Sequence, residues 1–271
     1  MRASVLIDNL PTEGFICEWG LAICIEYNGK SYLLDSGSTG DFTKNAQAMG
    51  IDLGAVCAGV LSHAHYDHSD GIPAFFAVND HARFYLRKGS APNCYDRKQF
   101  RHKRYIGIQK DLLVKYRDRI ELVTGDYRLD EGVWLIPHKT PGLEAMGRKN
   151  GMYLRQNHGW VLDNFAHEQS LVFETEKGLV IFNSCSHGGA DAIIREIEAT
   201  FPDKKICAII GGFHLYKSSD EFIRGLARSM LETGVELAVT GHCTGDHAYA
   251  ILREEMGERV RQMHTGMVIE I

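Results

Sequence analysis

Four side chains able to ligate a metal fall within six residues, His63-Ala64-His65-Tyr66-Asp67-His68, directly after the apolar run Ala-Gly-Val-Leu at 58–61. A short apolar run bounded by polar residues reads as a buried strand, so the ligand-type residues stand where a strand stops and a loop begins. A loop there can aim His63 and His65 at one cation while Asp67 and His68 turn toward a second. A mixed set of imidazole and carboxylate suits zinc, iron or manganese. The bland alternative is a polar loop of hydrogen-bonded histidines, and four ligand types packed against one strand end argue against it.

The same punctuation recurs along the chain. Runs 21–26 and 31–34 flank Asn28-Gly29, a strong hairpin turn, and the second ends at Asp35. Runs 170–174 and 179–182 flank Glu176-Lys177-Gly178, and the second leads into Ser184-Cys185-Ser186-His187. Run 206–210 ends in Gly211-Gly212-Phe213-His214, and run 237–239 in Thr240-Gly241-His242-Cys243. Helices are expected over 42–49, 72–78 and 190–200, and between Ser219 and Gly234. Strand ends of α/β proteins converge on one edge, which gathers Asp35, the His63 loop, Cys185, His187, His214 and His242. His138, after run 133–136, is a lower-ranked member of the set.

Hairpins come first in each half and βα units follow. That order predicts two mixed β-sheets packed face to face with helices outside, an αββα sandwich. The 271 residues are expected to form a single domain with an insertion or cap and a long loop within 89–160. Residues 89–116 are polar and basic without clear periodicity, and 137–160 read as a long functional loop.

Charge and cysteine content narrow the function. A formal net charge of −5 gives no reason to expect nucleic acid or an anionic membrane as partner. Seven cysteines without CxxC pairs suit a reducing compartment. No apolar run approaches the roughly 18 residues that cross a bilayer, and the first residues break too early for a secretory signal. A cytoplasmic location is therefore expected, with a small molecule as partner. The basic run from Arg97 to Arg104, with Arg148, Lys149 and Arg155, is either a solvated face or a field favouring an anionic substrate.

The run 61–71, Leu-Ser-His-Ala-His-Tyr-Asp-His-Ser-Asp-Gly, resembles the HxHxDH signature of the metallo-β-lactamase superfamily. Asp35 in Leu-Leu-Asp-Ser-Gly resembles that superfamily's first motif, an aspartate orienting the site from behind the ligands. More narrowly, Leu6-Ile7-Asp8-Asn9, Glu18-Trp19-Gly20-Leu21, Asn45-Ala46, Glu168-Gln169-Ser170-Leu171 and the three later strand ends resemble one branch. That branch includes methanopterin-precursor (dihydropterin ribofuranosylaminobenzene phosphate) synthases and related bacterial hydrolases.

The resemblance implies the metallo-β-lactamase fold and two divalent metals, zinc first and iron or manganese next. His63, His65, Asp67, His68 and His242 are the implied ligands. The usual bridging aspartate is absent: where run 178–182 ends, Ser184-Cys185-Ser186-His187 stands instead. His187 is therefore expected as a ligand and Cys185 as a thiolate ligand or neighbour. His167, near the usual place of the third histidine, is a further metal candidate. The implied chemistry is hydrolysis of an ester, lactone, thioester or phosphate ester by metal-activated water. Asp67 would orient that water, and His187 or His214 would protonate the leaving group. The alternatives are a synthase acting on a phosphoribosyl-type substrate, an iron-dependent oxidoreductase, and a non-catalytic metal-binding sensor.

Overall fold

A computed structural model describes residues 1–97 and 102–271. The chain opens with β1 (Arg2–Ile7), the hairpin β2 (Ala22–Tyr27) and β3 (Lys30–Leu34), α1 (Phe42–Ala48) and β4 (Val56–Val60). Next come α2 (Tyr66–Ser69), α3 (Ile72–Val78), β5 (Arg83–Arg87), β6 (Cys94–Arg97), β7 (Lys103–Tyr105), α4 (Leu112–Lys115) and β8 (Ile120–Val123). The middle holds β9 (Tyr127–Asp130), β10 (Val133–Pro137), α5 (Glu144–Asn150), β11 (Met152–Gln156) and β12 (Gly159–Leu162). The hairpin β13 (Gln169–Thr175) and β14 (Gly178–Phe182) follows, then α6 (Ala190–Thr200) and β15 (Ile206–Ile210). Last are α7 (Asp220–Glu232), β16 (Leu237–Thr240), α8 (Asp246–Met256), β17 (Val260–Gln262) and β18 (Val268–Glu270).

Among the described residues the strands form two seven-stranded sheets, β18-β1-β2-β3-β4-β5-β8 and β17-β16-β15-β14-β13-β10-β9, and a four-stranded sheet, β12-β11-β6-β7. Side chains alternate across each strand, and both faces of the central strands are apolar. Ile23 and Ile25 of β2 and Val180 and Phe182 of β14 meet in the core between the large sheets. Ala22 and Cys24 turn outward under α1 and α3, and Leu179 and Ile181 turn outward under α6, α7 and α8. This is the expected αββα sandwich. The Asn28-Gly29 turn has both residues at positive φ, as a two-residue hairpin between right-twisting strands requires.

β3, β4, β5 and β8 run parallel, as do β14, β15, β16 and β17. Their carboxyl ends share one edge of the sandwich, joined there by the end of β1 and the start of β13. Residues 137–160, expected as a long loop, instead hold α5 and most of the β11–β12 hairpin, which pairs through β11 with β6, itself paired with β7. The third sheet is tied to the ligand loop, because Tyr66 N donates to Ile106 O at 2.9 Å.

Candidate metal centre

The backbone is bent sharply where the strands end. Asp35, Ser186, His214 and His242 all have φ between 48° and 57°, a left-handed region that costs a non-glycine residue about 1–3 kcal/mol. Gly211 has φ 138°, and a Cβ there would stand 1.9 Å from Asn183 O. The close crossing of the β14 and β15 ends therefore requires glycine, which explains the Gly-Gly pair before Phe213-His214.

These bends bring the histidines together. The His63 ring lies 4.5 Å from His65, 4.2 Å from His68 and 4.9 Å from His187, and His65 lies 5.0 Å from His187. A second group adjoins the first: Asp67 Oδ2 is 3.8 Å from His68 Nε2 and 3.7 Å from His242 Nε2. Cys185 stands between them, its Sγ 3.4 Å from His68 Nε2. It can share a cation with His63 and His187, or with His68 and His242, since each trio's ligand atoms lie within 4.8 Å of one another.

Hydrogen bonds decide which nitrogens are free. Ser62 OH donates to Asp35 Oδ2 at 2.7 Å, so Ser62 Oγ accepts from His63 Nδ1 at 2.8 Å. Asp35 Oδ2 accepts from His68 Nδ1 at 2.8 Å, and Asn9 Oδ1 from His242 Nδ1 at 2.9 Å. With the three Nδ1–H groups engaged, His63, His68 and His242 turn Nε2 inward, the arrangement that carboxylate and amide partners impose on metal-binding histidines. His63 Nε2, His65 Nε2, His242 Nε2 and both nitrogens of His187 are buried without a protein partner. Leaving so many polar atoms unpaired is costly, and a divalent cation would satisfy them. The donor set fits the group the sequence implies.

Protonation agrees. Burial, reinforced by repulsion among neighbouring histidines, holds His63, His65 and His187 well below the usual imidazole pKa, which keeps them neutral, as a metal ligand must be. Burial likewise holds His242 down at about 3. Burial opposes protonation of His68 too, but Asp67 and Asp35 outweigh it and hold the pKa up at about 9.

Other expected residues have other places. Both nitrogens of His167 are engaged, Nδ1 accepting from Ala64 N at 3.2 Å and Nε2 meeting Asp163 Oδ2 at 3.1 Å. It props the His65 loop, and its ligand atom lies within 4.8 Å of those of His65, Cys94 and Asp163, a group that could also hold a cation. His187 is held neutral and packs against His63, His65 and His214, the surroundings of a ligand. His138 lies behind the centre between Glu168 (2.5 Å) and Glu196 (3.0 Å). Glu168 accepts from His187 N at 3.1 Å and so holds the ligand loop. The sequence alone assigns no role to Asn9, Trp19 (Nε1 to Asp67 Oδ2, 2.8 Å), Ser62, Glu168 or Cys243. The usable signal was a short polar residue just past an apolar strand, which Asn9 and Ser62 satisfy.

The centre forms the floor of a cleft of about 260 Å³. Trp19 and Tyr216 wall it, in edge contact with ring centroids 5.8 Å apart. Arg97, Arg104 and Lys217 stand at its rim. Arg104 is paired with Asp96, while Arg97 and Lys217 make no salt bridge among the described residues. Arg148, Lys149 and Arg155 do not line the cleft; Arg155 and Lys149 lie over the Trp160 and Phe222 rings. Residues 98–101 of the basic run lie outside the described residues.

Comparison with known proteins gives a consistent picture. The family model described as the metallo-beta-lactamase superfamily matches residues 20–147. A crystal structure of a metal-dependent hydrolase of the beta-lactamase superfamily is 30% identical with a TM-score of 0.86, covering 100% of this chain and 99% of that one. A Methanocaldococcus jannaschii protein named 7,8-dihydropterin-6-methyl-4-(beta-D-ribofuranosyl)-aminobenzene-5'-phosphate synthase is 27% identical over 274 residues, 94% of this chain and 91% of its own. Zn(2+)-bound PqqB from Methylobacterium extorquens covers all of both chains at TM-score 0.58 and 12% identity, a likeness of fold alone.

Proposed function

The chain belongs to the metallo-β-lactamase superfamily, and from that membership we propose that it is a metal-dependent hydrolase of small anionic esters, a phosphate ester before a neutral one. The observation that carries this reading is the set of unpaired imidazole nitrogens on the floor of an open cleft, with cationic side chains at its rim. His63, His65 and His187 would hold one divalent ion, and Asp67, His68 and His242 the other. Bound there, such a pair lowers the pKa of water towards neutrality and polarises the oxygen under attack.

The chain's own residues do the rest. Trp19 fixes the Asp67 carboxylate through Nε1, so its orientation does not have to be set when substrate arrives. Trp19 and Tyr216 exclude water along one wall and offer flat surfaces to a ring. Arg97 and Lys217 meet an anion at the mouth, and steering by such groups weakens with salt. Asp35 and Asn9 keep their histidines in the ligating tautomer.

A second reading has its own support: the relative named as a synthase matches nearly the whole chain. In that case the cleft would bind a phosphoribosyl-type substrate and the metals would hold pyrophosphate rather than activate water. One assay separates the two. Zinc-loaded protein is offered a p-nitrophenyl phosphodiester, and separately phosphoribosyl pyrophosphate with an aromatic amine. Nitrophenol release supports hydrolysis; amine-dependent pyrophosphate release, with no nitrophenol, supports the synthase reading and overturns the first.

A further inference from the structure

Cys243 has no part in the two donor groups above, yet it lies at the floor of the same cleft. Its Sγ is 3.4 Å from Cys185 Sγ and accepts from His214 N at 3.2 Å. The ligand atoms of Cys185, His214 and Cys243 lie within 4.8 Å of one another. His214 Nδ1 is buried with no partner. The trio comes from the ends of the adjacent parallel strands β14, β15 and β16, where His214 is held at φ 49° and His242, just before Cys243, at φ 48°. Gly212 makes the approach feasible, since a Cβ there would stand 2.6 Å from Cys243 Sγ.

We propose that Cys185, Cys243 and the His214 imidazole form a further cation site beside the histidine–aspartate centre, with Cys185 shared between the two. Two sulfurs and one imidazole select a soft or borderline divalent ion such as zinc or ferrous iron over magnesium, calcium or manganese. Three protein ligands leave the fourth tetrahedral position open, and all three residues line the cleft. A substrate atom or water can take that position. Cys185 then does more than stand in for an absent bridging aspartate: it couples two sites of different softness. The role also makes His214 a ligand rather than the proton donor its sequence position suggests. A disulfide is the competing reading of the sulfur pair, and 3.4 Å is well outside the ~2.05 Å of an S–S bond.

The site rests on geometry independent of which reaction the enzyme runs, and the test keeps the two apart. Full-length protein is stripped with chelator under reductant and titrated with Co²⁺ alone. We expect a near-ultraviolet sulfur-to-cobalt charge-transfer band in the wild type that falls roughly twofold in Cys243→Ser, one of two Co–S bonds being lost. No band, or an undiminished band in Cys243→Ser, overturns the proposal. So does a Cys185–Cys243 disulfide found by mass spectrometry in the metal-loaded protein. If the variant does not fold, X-ray absorption on the unsubstituted zinc form decides: a zinc with two sulfur neighbours at about 2.3 Å supports the site, and one sulfur or none rules it out. A band without turnover on any substrate would sink the hydrolytic reading and leave this site standing. Turnover without a band would do the reverse.

Discussion

Asn9 and His242, 233 residues apart in sequence, hold each other at two points: Asn9 Oδ1 meets His242 Nδ1 at 2.9 Å, and Asn9 Nδ2 donates to His242 O at 3.0 Å. The pair ties the end of β1 to the end of β16 and fixes the tautomer that turns His242 Nε2 toward Asp67.

Asn9→Ala should therefore weaken metal binding by about 10–100-fold, the usual cost of removing the partner of a ligating histidine. Asn9→Asp, which keeps an acceptor for Nδ1, should recover most of it. Titration of the two variants against a competing chelator measures this. Equal affinities for wild type and Asn9→Ala would reduce Asn9 to a strand-end polar residue.

Gly211→Ala tests the crossing of the β14 and β15 ends. A Cβ would stand 1.9 Å from Asn183 O at a φ of 138°, so strain and overpacking add. The expected loss is on the order of 2–3 kcal/mol of stability, read as a lower urea midpoint with unchanged slope. Gly225→Ala, where nothing lies within 4 Å of the added carbon, should be neutral or slightly stabilising in the same assay.

How much of this was legible in the sequence follows from where the apolar signal was strong. Strands β4, β14, β15 and β16 are short continuous apolar runs, so their ends, and the ligand types on them, stood out. The third sheet gave no such signal. Its strands carry Tyr95, Tyr105 and Tyr153 beside charged residues and Trp160 on the short strand β12, and are mostly half-exposed or exposed, so pairing with one another, rather than a buried face, defines them. Asn9 and Cys243 were hidden for a different reason. Nothing local to residues 8–9 shows that β1 ends beside β16, and Cys243 gains its meaning only from Cys185, 58 residues away.

His138 makes stability depend on pH. Burial opposes its charge, but Glu168 and Glu196, the carboxylates on its two nitrogens, outweigh that and raise its pKa to about 10. Unfolded histidine titrates near ~6.5, so between those values the folded chain holds a proton the unfolded chain lacks. The contribution is complete below about pH 6.5 and is lost as pH rises through about 10. Urea midpoints of wild type and His138→Gln should differ most at pH 6 and converge toward pH 10. A constant difference across that range would show that His138 is not charged in the fold.

Arg97 and Lys217 predict the salt response of catalysis. For a phosphorylated substrate, kcat/KM should fall as salt is raised from low ionic strength, and a neutral ester of the same leaving group should change little. Arg97→Gln with Lys217→Gln should remove most of that difference. If both substrates respond alike in the wild type, the cations have no steering role.

On the proposed function His63, His65, Asp67, His68, His187 and His242 hold two divalent ions, apart from any ion at Cys185, His214 and Cys243. Native mass spectrometry of zinc-reconstituted protein, backed by elemental analysis, counts those ions directly. We predict that His63→Ala and His65→Ala each lose the ion shared with His187, and that Asp67→Ala and His242→Ala lose the ion at the neighbouring site. All four variants should keep the wild-type circular dichroism spectrum. Wild-type metal content in all four would contradict the account.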